Sequence, residues 1–182
     1  MGKAYDSISP ELQDWLAQQK VFFVATSPLA RDGHVNCSPK GGDTFRVING
    51  HEVAYLDLTG SGIETAAHLQ ENARIVIMFC AFEGPPKIVR LHGTGEVIYP
   101  RDPGFEKLQS AIVEHPGTRA IIHVRVTRIS DSCGHGVPLM KFQARRDLIE
   151  KWSTAKGKQG LAEYRATKNQ VSIDGLEGCR QG

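Results

Sequence analysis

The sequence predicts a mainly β domain, an antiparallel β-barrel carrying peripheral helices, on three observations. Short runs rich in Val, Ile, Phe and Tyr recur along the chain, bounded by Gly, Pro, Asn and Asp. Two of these runs are joined by Arg31-Asp32-Gly33, a hairpin turn signal. The helical patterns are few and lie between or after the strands, which is how helices decorate a barrel.

Taken in order, Ser9-Pro10-Glu11 starts a helix. The serine hydroxyl caps, the proline sits where no N–H is needed, and the acid faces the positive end. Leu12, Trp15 and Leu16 follow at helical spacing. Val21–Thr26 and His34–Ser38 are the two arms of the hairpin, and Val53–Leu58 is the third strand. It runs into Thr59-Gly60-Ser61-Gly62, after which Glu64–Asn72 is helical. Arg74–Cys80 is apolar enough to be expected buried on both faces. After the Gly84-Pro85-Pro86 turn, Ile88–Tyr99 is a long strand with Val89 and Leu91 alternating against Arg90 and His92. Gly93 and Gly95 mark a bulge within it. Asp102–Glu114 is expected as a helix, ended by His115-Pro116-Gly117, and Arg119–Ile129 as the last strand. Leu139–Trp152 and Leu161–Thr167 are read as helices separated by a break at Lys156–Gly160. That gives about six strands. The expected organisation is a barrel domain over residues 1–138 and a helical extension over residues 139–182 packed on it.

Composition narrows the function classes. A 182-residue chain with 40% hydrophobic and 23% charged residues is an ordinary globular protein. A net charge of +2, with the signs interspersed, builds no basic stripe for nucleic acid. No apolar run reaches the roughly 20 residues of a membrane span, and Met1–Asp6 lacks the apolar core of a signal peptide. The four cysteines, Cys37, Cys80, Cys133 and Cys179, form no CxxC pair, so reduced thiols and a cytoplasmic location are expected. The seven histidines fall in no zinc-binding spacing, and no metal is expected.

Three segments carry chemistry. Thr59-Gly60-Ser61-Gly62-Ile63-Glu64-Thr65 joins a strand to a helix, where glycines expose backbone N–H groups and Thr59, Ser61 and Thr65 add hydroxyls. Such a junction suits a phosphate, and equally a tight capped turn. It has neither the GK[ST] of a P-loop nor the third glycine of a dinucleotide fingerprint. Asn36-Cys37-Ser38-Pro39-Lys40 ends a strand with a lysine able to reach an anion or to stay solvated. Ser132-Cys133-Gly134-His135-Gly136 is a loop whose glycines admit close approach of a flat ligand, or a plain connector.

In this combination and order, the segments resemble the pyridoxamine 5'-phosphate oxidase-like flavoproteins over roughly residues 10 to 130. The resemblance rests on the first helix and the strand after it, then on His34–Gly41, Tyr55–Phe79 and Lys87–Val97. Ser132–Pro138 is similar to a loop in one branch of that superfamily. The resemblance implies a six-stranded split barrel that forms a homodimer, with FMN at the subunit interface and a small-molecule substrate. It places Asn36, Cys37, Ser38 and Lys40 along the flavin, and Thr59, Ser61, Gly62, Glu64 and Thr65 at its phosphate. Ser132, Cys133, Gly134 and His135 are implied as further cofactor contacts.

Two departures from the family pattern matter. Ile63, Glu64 and Thr65 stand where the classical oxidase has serine, arginine and lysine, so the phosphate must lean on hydroxyls, backbone N–H groups and Lys40 or Arg46. The arginine-x-histidine-x-arginine segment of that enzyme has no counterpart, since Ala144-Arg145-Arg146-Asp147 lacks the histidine. Oxidation of pyridoxamine phosphate is therefore not the expected activity. An FMN-dependent oxidoreductase is expected, with a deazaflavin reductase or a non-enzymatic flavin- or haem-binding dimer as alternatives. Hydrolysis by Ser38 or Cys133 ranks below these, because neither lies in a nucleophile motif.

Overall fold

The computed structural model describes residues 2–179. Its strands are β1 (Ala4–Tyr5), β2 (Phe22–Thr26), β3 (Asn36–Lys40), β4 (Phe45–Asn49), β5 (Glu52–Leu58), β6 (Arg74–Cys80), β7 (Ile88–Ile98) and β8 (Thr118–Ser132). The helices are α1 (Pro10–Gln18), α2 (Glu64–Asn72), α3 (Phe105–Gln109) and α4 (Leu148–Lys168). All strand pairs are antiparallel, in the order β3-β2-β6-β7-β8-β5-β4, with β1 added to β8.

The sheet curls until its two ends meet. Phe22 of β2 and Phe45 of β4 come from opposite ends of the strand order, yet their ring centroids are 5.4 Å apart. Tyr55 and Phe79 complete the cluster around Phe22 at 5.5 and 5.6 Å. Among the described residues β3 and β4 are not paired, so the barrel is split along that seam. Val24, Val53, Ile77, Val89, Leu91, Ile122 and Val124 fill the interior, and α1 covers one end with Leu12 and Leu16. Ser9 caps α1 by accepting the Leu12 N–H, as its sequence implies.

The fold class is the one expected, with corrections in detail. β4 was not expected, although Asn49-Gly50 between two apolar runs is a hairpin signal. β6 is not buried on both faces: Ile75, Ile77 and Phe79 are buried while Arg74 is exposed. The helix expected over residues 102–114 contracts to Phe105–Gln109. The helix expected from Leu139 begins only at Leu148: Leu139, Met140 and Phe142 lie exposed in an irregular stretch whose Met140 and Phe142 N–H groups donate to the Phe82 carbonyl at 2.8 Å and the Glu83 carboxylate at 3.2 Å. The expected break is real: Gly157, at φ 65°, kinks α4. The bulge in β7 is real too, with the β7–β8 register shifting between His92 and Gly93. A Cβ on Gly93 would stand 2.2 Å from the Arg125 carbonyl oxygen, so only glycine admits this approach. Among the described residues no helix is long and apolar enough to cross a membrane.

Candidate functional site

Strand alternation sorts the β3 residues. Asn36, Ser38 and Lys40 are half-buried on one face, while Cys37 and Pro39 are exposed on the other. Cys37 therefore points away from the face that its neighbours share. Asn36 Nδ2 donates to Thr65 Oγ1 at 3.0 Å, tying β3 to α2, and Ser38 Oγ donates to Asn36 Oδ1 at 3.0 Å. Thr26 Oγ1 and His68 Nδ1 pair at 2.9 Å directly behind. His68 is fully buried, and that burial holds its pKa below the usual imidazole value, so the ring is neutral at pH 7.

The glycine loop is held from inside. Asn169 Nδ2 donates to the Gly60 and Ser61 carbonyls at 2.9 and 3.3 Å, and Arg119 Nη2 donates to the Gly62 carbonyl at 3.0 Å. Each carbonyl points opposite to the N–H of its own planar peptide unit. Drawing these carbonyls inward therefore turns the N–H groups of Ser61, Gly62 and Ile63 outward, in succession. Such a row binds anions. One anion is already there: the Glu64 carboxylate accepts the Ile63 N–H at 3.0 Å. Glu64 opens α2 and is half-buried, its carboxylate closing on the first turn of the helix.

Other expected phosphate partners are engaged elsewhere. Thr59 is fully buried, its N–H donates to Gly117 at 2.8 Å, and its Oγ1 accepts from Arg165 Nε at 3.0 Å. Arg46 is held by Asp43, whose carboxylate the guanidinium keeps below its ordinary pKa. Lys40 remains, its ammonium 3.8 Å from Asp57. Asp57 in turn binds Arg119 Nε at 2.7 Å, with both side chains buried.

Ser132, Cys133, Gly134 and His135 lie at the opposite end of β8 from the glycine loop. Leu58, which enters the glycine loop, pairs with Thr118 at the start of β8, and Ser132 ends that strand. Their separation along the strand is roughly 45 Å at about 3.3 Å per residue. Ser132 instead accepts from Arg90 Nη1 at 3.0 Å, and Gly134 packs on the Lys87 backbone.

Thr26, Asp57, His68, Arg119, Arg165 and Asn169 belong to the network but were not anticipated. Two of them left a signal. Asp57 is a lone carboxylate closing the buried Val53-Ala54-Tyr55-Leu56-Asp57 run, and Arg119 precedes the apolar Ala120-Ile121-Ile122. A buried charge requires a partner, and each is the other's.

Comparison with known proteins points one way. The family profile described as pyridoxamine 5'-phosphate oxidase matches residues 8–133. The pyridoxamine 5'-phosphate oxidase family protein ustO of Aspergillus flavus is 38% identical over 192 aligned positions, covering 96% of this chain and 76% of that protein. Among solved structures, HupZ of Group A Streptococcus aligns with a TM-score of 0.51 at 23% identity, covering 67% of this chain and 91% of HupZ. A putative pyridoxamine 5'-phosphate oxidase of Lactobacillus delbrueckii aligns with a TM-score of 0.52 at 17% identity, covering 70% and 98%. At these identities the two solved structures share the fold.

Proposed function

The chain belongs to the pyridoxamine 5'-phosphate oxidase family, and from that premise we propose that it is an FMN-binding oxidoreductase acting on a small molecule. The observation that carries the reading is the adjacency of two donor sets: the Asn36–Ser38–Lys40 face and the outward N–H row of the glycine loop, joined through Thr65. The donor set fits a flavin. Amide and hydroxyl groups on β3 suit the polar edge and hydroxylated chain of the cofactor, and the N–H row suits its phosphate once Glu64 swings aside.

Flavin, when bound, supplies the electron transfer itself. The protein's residues hold and orient it. Asn36, fixed by Thr65 and Ser38, keeps its amide in one orientation. Lys40, its ammonium 3.8 Å from Asp57, attracts an anionic cofactor. Neutral His68 backs Thr26 without placing a second positive charge behind the site.

Ser132–His135 reaches the site from a partner subunit in this reading, because one chain places it at the far end of β8. The working form is then a homodimer with the cofactor at the interface.

The protein purified without added cofactor tests this reading through its visible spectrum and the mass of what heat releases. Oxidised-flavin bands and released FMN support it. A deazaflavin spectrum, a haem Soret band, or a colourless protein that takes up no FMN contradicts it.

A further inference from the structure

A cavity of about 660 Å³ opens beside α4. Its size is within the roughly 300–1,000 Å³ of small-molecule sites. None of the residues implied to touch the flavin lies on it; its polar wall includes Arg119 and Arg165, and its apolar wall Pro100, Ala162 and Ala166.

Arg101, Asp102 and Glu163 also line the cavity, Arg101 and Glu163 exposed, but the charge on its buried side does not balance. Lys40, Arg119 and Arg165 converge on one buried carboxylate, Asp57, which Arg119 takes at 2.7 Å. Among the described residues Arg165 makes no ion pair. Its hydrogen bonds go to neutral oxygens, Thr59 Oγ1 at 3.0 Å and the Thr118 carbonyl at 3.2 Å. Holding a half-buried guanidinium beside a second one is unfavourable without an anion of its own; burial and then Arg119 push the Arg165 pKa down, and Cys179 and the already paired Asp57 offset this only in part. The acids on the cavity do not supply that anion. Asp102 accepts the Tyr99 N–H at 2.8 Å, and Glu163 is exposed and accepts from Gln159 at 3.0 Å.

We infer that this cavity binds a small organic anion, a carboxylate or a phosphate monoester, with its acid group on Arg165 and its body against Pro100 and Ala166. The site stands apart from the proposed flavin site and does not depend on it. It does share a wall with it: Arg165 and Arg119 bond to Thr59 and Gly62, so an occupant braces the glycine loop from behind.

Calorimetric titration with phenyl phosphate, benzoate and neutral benzamide at constant ionic strength tests the assignment. At least one of the two anions binds about tenfold or more tightly than benzamide, and their order tells phosphate from carboxylate preference. Cys179 lines the cavity, so its alkylation by iodoacetamide, followed on its tryptic peptide, slows with the bound anion. Arg165→Gln weakens binding about tenfold. Ala166→Trp blocks the cavity from an exposed helix position, abolishes anion binding and leaves flavin uptake unchanged. Anions that bind no better than benzamide, or anion binding that survives Ala166→Trp, overturn the assignment.

Discussion

Asp57 accepts a hydrogen bond from Arg119 Nε at 2.7 Å, and the two side chains are only 2% and 5% exposed. The pair lies where β5 delivers the chain into the glycine loop, and Arg119 also holds the Gly62 carbonyl. Asp57→Asn leaves the guanidinium buried without a countercharge, which costs about 3–5 kcal/mol. A lowered midpoint of urea unfolding checks this. Adding Arg119→Met to Asp57→Asn recovers part of the loss, because the orphaned charge is then gone.

In the proposed flavin site, Glu64 and the cofactor phosphate compete for the same N–H row. Glu64→Gln removes the like charge while keeping a side-chain oxygen able to accept the Ile63 N–H. FMN affinity therefore rises about tenfold, roughly the effect of one nearby like charge, while riboflavin affinity stays the same. Parallel fluorescence titrations check the difference. An equal effect on both flavins means that the phosphate lies elsewhere.

The hairpin after α4 is latched to the β2–β3 turn by His34 and Asp174, whose Nδ1 and Oδ1 are 2.6 Å apart. Asp174 raises the His34 pKa, and His34 lowers that of Asp174. The histidine's contribution is complete below its ordinary value of about 6.5 and is lost as pH rises through the raised folded value. The aspartate's contribution is present above the ordinary carboxylate value of about 3.9 and is lost as pH falls through the lowered folded value. The latch thus holds between the two. NMR titration of His34 gives a pKa that Asp174→Asn returns toward 6.5, and amide exchange across residues 170–178 quickens above it.

Sequence legibility followed the range of the interactions. The bounds of α2 and β6 matched the expected Glu64–Asn72 and Arg74–Cys80, because side-chain periodicity and local propensity decide both. Asn36, Cys37, Ser38 and Lys40 came instead from the family resemblance, and the alternation of β3 then separates Cys37 from the other three. Arg165 and Asn169 were not legible: more than 100 residues separate them from Thr59 and Gly60, and no local pattern encodes that contact. Residues 139–147 failed in the opposite sense. Leu139, Met140 and Phe142 carry helix-like spacing but are exposed, and without burial that spacing does not hold a helix.

Equilibrium titration of the cofactor-free chain with FMN, followed by quenching of flavin fluorescence, tests the central claim most directly. The account predicts saturable binding that Lys40→Ala weakens about tenfold, as expected for one charge-assisted contact, with unfolding stability little changed because Asp57 keeps Arg119. Absence of FMN binding by the unaltered protein, or identical binding by Lys40→Ala, contradicts the placement of a flavin on the β3 face.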